Sequence, residues 1–370
     1  MTIKELREEA KRLGITNIYN LNKTELEDRI ALERQEVVQM SMMDFKASLL
    51  TNFEVADYED EEAWHLLRQK RIGGSDVGAI LGVNPYKSII DVYIDKTEGA
   101  TFKGNEATHW GHMLENVVMK EFASKHKEME VYQAPYSVVS EYLIANVDGV
   151  VRSKETGEYG ILEIKTTNAF NSKAWEDDEI PQSYYAQVQH YLSMTGYAFA
   201  YIAVLIGGQK YKEFYVERSE EDIALIEEKT NAFYFDNIVL GVPPMPDGSD
   251  AYMEHLKKRA LELQSDEVVV LDELEEKAKK IKELTAKQKE LKKEEELLKQ
   301  EILTEMLAQG TRKATAGSFK FNIQSRKATD MKEFEKAHPD LVKSYKELEK
   351  KYKELEQKYK KESSRFLAIR

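Results

Sequence analysis

The sequence predicts an α/β fold for its central part, with helical additions at both ends, and three observations carry that prediction. The middle of the chain mixes glycine punctuation and helical stretches with aromatic, β-type runs such as Tyr197-Ala-Phe-Ala-Tyr-Ile-Ala-Val-Leu-Ile206. The first 35 residues set Leu6, Ala10 and Leu13 at helical spacing. Beyond about residue 265 the composition shifts to Lys, Glu and Leu in a heptad pattern. At 370 residues the chain is longer than one core usually serves. A main domain of about 200 residues with appendages is therefore expected.

Residues 1–35 read as a helix–extended–helix module. Gly14 is the expected stop of the first helix. The second opens at Asn22 or Thr24, with Leu26 and Ile30 on one face and Glu27 three residues after Thr24 as a capping box. The pattern is similar to SAP and Rho N-terminal-like modules, which implies nucleic-acid binding. Its seven basic and seven acidic residues equally suit a docking or solubilising hairpin. Residues 36–63, acidic from Glu54 to Glu62, read as a linker or solvated helix start. The main domain is expected over 64–247, closing at the breaker cluster Pro243-Pro244-Met245-Pro246-Asp247-Gly248. Residues 248–312 read as a coiled-coil arm on Ile281, Leu284, Gln288, Leu291, Leu298 and Ile302. In 313–370 tyrosine recurs at heptad spacing, Tyr345, Tyr352 and Tyr359, with Leu348 and Leu355 between. Ser318-Phe-Lys-Phe-Asn-Ile323 alternates like a strand that Arg365-Phe-Leu-Ala-Ile-Arg370 could pair.

Composition removes whole classes of chemistry. Hydrophobic residues at 42% and charged ones at 33% fit a helix-rich globular chain and exclude collagen-like, mucin-like and disordered readings. Zero cysteine excludes disulfide scaffolds, thiolate zinc sites, cysteine nucleophiles and iron–sulfur clusters. Any metal must sit on oxygen or imidazole. The opening Met1-Thr-Ile-Lys-Glu-Leu-Arg7 has no apolar signal core, and no run of about 18 apolar residues occurs. A cytoplasmic chain with no membrane span is the expectation. The net charge of −13 argues against a general polyanion-coating protein, although an acidic chain can still hold a basic groove.

The chemistry concentrates in Asn146-Val-Asp148-Gly-Val150 and, fifteen residues after that aspartate, in Leu162-Glu163-Ile164-Lys165-Thr166. Glu163 and Lys165 are two apart in a strand-like run and share one face. Carboxylates on neighbouring strands can hold Mg²⁺ in oxygen coordination, while an ammonium orients or deprotonates water or stabilises charge on a phosphate. An exposed strand edge with an ion pair is the plainer alternative. Glu115 lies on a helix beside Leu114, Val117 and Val118, and a buried acid needs a partner. Gln187 and Tyr191 share a face of a later helix. His112 stands at ligand spacing from Glu115, with packing its more ordinary role. Tyr184 and Tyr191 suit a core more than a DNA contact.

Glutamate on a helix, Asp148, Glu163-x-Lys165 and glutamine on a helix stand in the order of the PD-(D/E)XK nucleases, whose core is a central mixed sheet flanked by helices. Within that superfamily Trp64-His-Leu-Leu-Arg68, Gly73-Gly-Ser75-Asp-Val77, Trp110-Gly111, Asp148-Gly149 and Ala186-Gln-Val-Gln189 resemble the lambda exonuclease and YqaJ viral recombinase family over about 64–245. The resemblance implies a Mg²⁺- or Mn²⁺-dependent exonuclease of a bacterial or phage-encoded system. It would degrade double-stranded DNA from 5′ ends and leave 3′ single strands for recombination. It implies Glu115, Asp148 and Glu163 as acidic metal ligands with the backbone carbonyl of Ile164. It implies Lys165 as the motif lysine, Gln187 as the helix glutamine beside it, and Arg68 and Ser75 as the grip on the 5′-phosphate. A guanidinium fork suits that grip, and Gly73-Gly74 could add an anion nest, while Lys70 and Arg71 are competing cations. Implied partners are DNA ends, a single-strand annealing protein, a single-strand-binding protein and further copies of the chain in a trimer. A DNA endonuclease and a non-catalytic DNA-binding scaffold are the alternatives.

Overall fold

The computed structural model describes residues 1–13, 15, 18–33, 37–99, 104–177, 179–265, 267–325 and 329–360. It forms two compact units, Met1–His255 and Leu256–Arg370.

In the first unit the described strands are, in chain order, β1 (Val38–Gln39), β2 (Glu54–Ala56), β3 (Ile72–Gly73), β4 (Met129–Gln133), β5 (Ser137–Val139), β6 (Leu143–Asn146), β7 (Gly149–Ser153), β8 (Tyr159–Thr167), β9 (Phe199–Ile206) and β10 (Lys210–Glu217). A mixed sheet runs β1-β4-β7-β8-β9-β10, and a smaller one runs β2-β5-β6-β3. β8 pairs antiparallel with β7 and parallel with β9. A parallel pair needs a crossover, which the helix Gln182–Thr195 supplies, buried from Ala186 to Thr195. Gly196 ends it at φ 76°, and a side chain there would meet Leu50.

Alternation along the strands sends residues to opposite faces, and each face has its own core. Val150, Ile161, Ala200, Ile202 and Val204 pack with Val77, Val188, Leu192 and Trp175. Val151, Leu162, Ile164 and Ala203 pack with Val118, Met119 and Phe122 of the helix Glu106–Lys125. The expected mixed α/β core with helices on the sheet is what forms.

The stretch 36–63, expected to be a linker helix and acidic linker, contains the helix Met42–Ser48, and its described residues also supply β1 and β2 to the two sheets. Phe45 is fully buried, and the Ser48 and Tyr197 hydroxyls share a 2.5 Å hydrogen bond. The apolar residues between Val37 and Phe53 follow no sustained strand or helix period, so the pairing of β1 and β2 is set by the strands they meet. The expectation of a solvated helix start does hold at Asp60, which caps Glu61–Gln69. At the other end Tyr252, beyond the expected limit of 247, is buried and donates its hydroxyl to Pro244 O at 2.6 Å.

The helices Ile3–Arg12 and Lys23–Glu33 close a small core of Leu6, Ala10, Ile18, Leu26 and Ile30. The capping box of the second helix joins Asn22 to Glu25, not Thr24 to Glu27, with reciprocal bonds of 2.7 and 3.0 Å. The expected stop at Gly14 lies outside the described residues.

In the second unit the helix Glu275–Ala308 runs 34 residues, about 50 Å at the usual rise. Its seam residues Ile281, Leu284, Leu291, Leu298 and Ile302 are exposed. The strand expected over 318–323 is β12 (Phe319–Asn322). It pairs antiparallel with β11 (Lys313–Ala316) across Gly317 at φ 58°. A local hairpin with a glycine turn closes at less entropic cost than pairing with a distant segment. The segment 365–370 lies outside the described residues. Among the described residues no helix is long and apolar enough to cross a membrane.

Candidate active site

The site opens where two strands part. The β7–β8 ladder ends at Gly149 opposite Leu162, so the next residue on the β7 side, Asp148, has left the sheet. Its Oδ2 accepts the backbone N–H of Ile164 at 2.7 Å, replacing the missing strand. A strand residue's N–H and C=O point to the same edge, so the Ile164 carbonyl faces this same gap. Meanwhile β8 keeps its pairing with β9 through Thr167, which holds Glu163, Ile164 and Lys165 rigidly beside the opening.

Glu163 and Lys165 share a face as their spacing predicts, and they form an ion pair with the lysine ammonium on Glu163 Oε1. Gln187 Nε2 also donates to Glu163 Oε1, at 2.7 Å, and to the Tyr191 hydroxyl at 3.0 Å. The Lys165 ammonium lies 5.0 Å from the centre of the Tyr184 ring. Glu163 Oε2 is buried and has no hydrogen-bond partner among the described residues. Glu115, half-buried on the helix Glu106–Lys125, completes the acidic group.

Electrostatics show how crowded the group is. Burial, reinforced by the Asp148 charge, pushes the Glu115 carboxyl up to about 7. Burial and the charges of Asp148 and Glu115 raise Glu163 well above the usual carboxylate range, against the pull of Lys165. Asp148 is also raised by burial, opposed by Lys165, by the Ile164 N–H and by His112. Burial works against the Lys165 charge, but Glu163 and Asp148 outweigh it and hold the ammonium above the ordinary lysine value. Three carboxylates thus face one lysine in a low-dielectric gap, an arrangement that favours a further cation.

Among the described residues no three acidic or histidine side chains stand in metal-holding geometry, and protein donors occupy Glu163 Oε1 and Asp148 Oδ2. The donor set nevertheless fits a hard divalent ion. It is all oxygen, it carries surplus negative charge, and it keeps a buried, unpartnered carboxylate oxygen in Glu163 Oε2.

Arg68 and Ser75 meet at the rim of a second cluster. Arg68 Nη2 donates to Ser75 Oγ at 3.0 Å, and its guanidinium lies 4.6 Å from the Trp64 ring centre. Trp64 is itself fixed by its indole N–H, which donates to Asn146 Oδ1 at 3.2 Å. The anion nest expected at Gly73-Gly74 is not what this turn builds, since the Gly73 N–H is committed to Asp76 Oδ2 at 3.0 Å. Gly74 serves close packing instead. A Cβ there would sit 2.5 Å from the Tyr191 ring and 2.9 Å from Gln187.

Asp76, Lys87 and Lys96 escaped the sequence reading. Buried Asp76 binds Lys96 at 2.7 Å and Lys87 at 3.0 Å, and Lys96 also donates to the Arg68 carbonyl at 3.0 Å. Asp76 directly follows Ser75 and could have been suspected. The lysines lie in separate segments, with no spacing rule to link them to it.

Residues 63–198 match the family described as the YqaJ-like viral recombinase domain. The chain is similar to the uncharacterized protein YqaJ of Bacillus subtilis (strain 168), 40% identical over 220 residues that cover 57% of this chain and 66% of that protein. It therefore spans just under two thirds of the curated relative it matches. Among solved structures it is similar to an alkaline exonuclease from Laribacter hongkongensis at 20% identity, covering 55% of this chain and 100% of that one with a TM-score of 0.40. It is also similar to a phage related exonuclease from Haemophilus somnus at 16% identity, covering 46% of this chain and 96% of that one with a TM-score of 0.37. The matched stretch contains every one of Arg68, Ser75, Glu115, Asp148, Glu163, Lys165 and Gln187, so all of these residues lie within the part of the chain that matches the YqaJ-like viral recombinase domain.

Proposed function

We propose that the chain is a divalent-cation-dependent DNA exonuclease that digests linear duplex DNA from a 5′-phosphorylated end and leaves 3′ single strands for recombination. The observation that carries this reading is the buried, unpartnered Glu163 oxygen amid three carboxylates and one ammonium. Glu115, Asp148, Glu163 and the Ile164 carbonyl would hold Mg²⁺ or Mn²⁺. When bound, that ion supplies Lewis-acid polarisation of the phosphoryl oxygen and a more acidic water.

The chain's own residues divide the remaining work. Arg68, steadied by Trp64 and Ser75, takes the terminal 5′-phosphate through its planar fork. Lys165 stands as a cation against the negative charge that builds on the phosphorus oxygens. Gln187 fixes the Glu163 carboxylate, and Tyr191 fixes Gln187. Water adds to phosphorus in line and the P–O3′ bond breaks. The released nucleotide takes the proton on its 3′-oxygen, and the shortened strand keeps a 5′-phosphate. The exposed strand is what an annealing protein or a single-strand-binding protein would take up.

The test is digestion of linear duplex DNA labelled at a phosphorylated 5′ end, with and without Mg²⁺, beside a closed circle. The wild type should release mononucleotides from the linear DNA only with the metal, and Lys165→Ala should be inactive. Cutting of the circle would make it an endonuclease, and binding without any cleavage would make it a scaffold.

A further inference from the structure

Two of the most exposed aromatic rings of the first unit, Phe170 at 96% and Tyr86 at 78%, stand on two segments that a hydrogen bond from Asn171 joins near the end of β8. Single exposed hydrophobic side chains are ordinary, but two on joined segments, one bonded to the end of the strand that carries Glu163 and Lys165 and the other adjoining a lysine of the Asp76 cluster, are not. Asn171 joins them, its Nδ2 donating to the Tyr86 hydroxyl at 3.5 Å and to Thr167 Oγ1 at 3.4 Å. Thr167 ends β8, two residues past Lys165. On the other side Tyr86 adjoins Lys87, whose ammonium binds Asp76 next to Ser75.

Both rings are presented on fixed backbone. Asn84 Oδ1 accepts the N–H groups of Tyr86 and Lys87 at 2.8 and 3.2 Å, and Asn168 Oδ1 accepts those of Phe170 and Asn171 at 2.9 and 3.1 Å. The turn that carries Phe170, Ala169–Trp175, is pinned at its far end by buried Trp175, which stacks on Tyr184 at 5.5 Å. The backbone beneath both rings is thus already ordered before a ligand lands on them.

We infer that Tyr86 and Phe170 form a stacking platform for bases at the end of the DNA, an inference that rests on the nuclease reading above. A strand gripped by phosphate at Arg68 and hydrolysed at Glu163 must lay its bases to one side of that line. Phenylalanine offers a flat face and no polar group, so it suits every base alike, as an enzyme that digests any sequence requires. Lys173, exposed on the same turn, adds a cation for the backbone.

The experiment uses the full chain in Ca²⁺ or chelator to prevent turnover, with 5′-phosphorylated duplexes carrying 2-aminopurine at the terminal nucleotide. Binding of wild type should change the probe's fluorescence through stacking. Phe170→Ala and Tyr86→Ala should each weaken binding roughly tenfold and lose that signal, the scale of one lost stacked base. Tyr86→Phe, which keeps the ring, should bind as wild type. On duplexes whose terminal nucleotides are abasic, the alanine penalties should vanish. Unchanged affinity and signal in both alanine variants, or an equal loss on abasic ends, overturns the platform. Wild-type digestion of DNA alongside such a result leaves the nuclease reading standing, whereas a wild type that neither binds nor cuts DNA removes both.

Discussion

Asp76 and Glu163 are both buried carboxylates beside lysines, yet they are partnered in opposite ways. Asp76 has Lys87 on one oxygen and Lys96 with the Gly73 N–H on the other. Burial would raise its carboxyl, but the two ammonium groups overcome that and hold it far below the usual carboxylate range. Glu163 shares one lysine with two other acids, and one of its oxygens has no partner among the described residues. A satisfied buried charge belongs to the scaffold. A buried charge left crowded and unpaired marks a place where the fold gives up stability for chemistry.

Substitution should separate the two most sharply. Asp76→Ala strands Lys96 in the interior and should cost about 3–5 kcal/mol, read from urea unfolding. Glu163→Gln removes one charge from a crowd and should unfold at the wild-type urea concentration or above it. Equal losses would dissolve the distinction. The same Glu163→Gln variant should lower cleavage of linear DNA at least about 10²-fold, the scale of a lost electrostatic contact in a catalytic centre. Between the clusters, Gly74→Ala should cost about 1–3 kcal/mol by overpacking, because its methyl meets Tyr191 and Gln187. Cleavage should fall with it, since Gln187 is displaced from Glu163.

Acid and base should act on the two clusters with opposite sign. Asp76 ionises more readily folded than at its ordinary 3.8, so its contribution is complete above that value and is lost as pH falls below it. Glu115 is raised to about 7 from 4.5, so in chelator the folded chain holds a proton that the unfolded chain has already released. Stability should therefore decline as pH rises from 4.5 through 7. Urea midpoints across pH should show a smaller acid-side fall in Asp76→Asn and a smaller neutral-side decline in Glu115→Gln, the remainder of the latter coming from the raised Glu163 and Asp148.

Much of the acidic centre was legible because strand spacing dictates it. Two residues apart on a strand means one face, which brought Glu163 to Lys165, and helical spacing brought Gln187 to Tyr191. The parting of β7 from β8, which frees Asp148 to bond Ile164, is a register event with no local signal beyond Gly149. The Asp76 cluster joins residues 11 and 20 positions apart through the packing of the helices Gly74–Ile80 and Ile89–Thr97 and the segment between them, which no period encodes. The strands within 36–63 were hidden for a related reason. Two-residue and three-residue edge strands are set by the partners they meet, and the acidic run around β2 points to solvent.

The most direct test of the difference between the clusters is Mn²⁺ binding to the full chain, followed by electron paramagnetic resonance of the free ion. Wild type and Asp76→Asn should bind Mn²⁺ alike wherever both are folded, and Glu163→Gln should weaken it at least about tenfold. Undiminished Mn²⁺ binding in Glu163→Gln, or a wild type that binds none, would contradict the assignment of the crowded carboxylates as the working site.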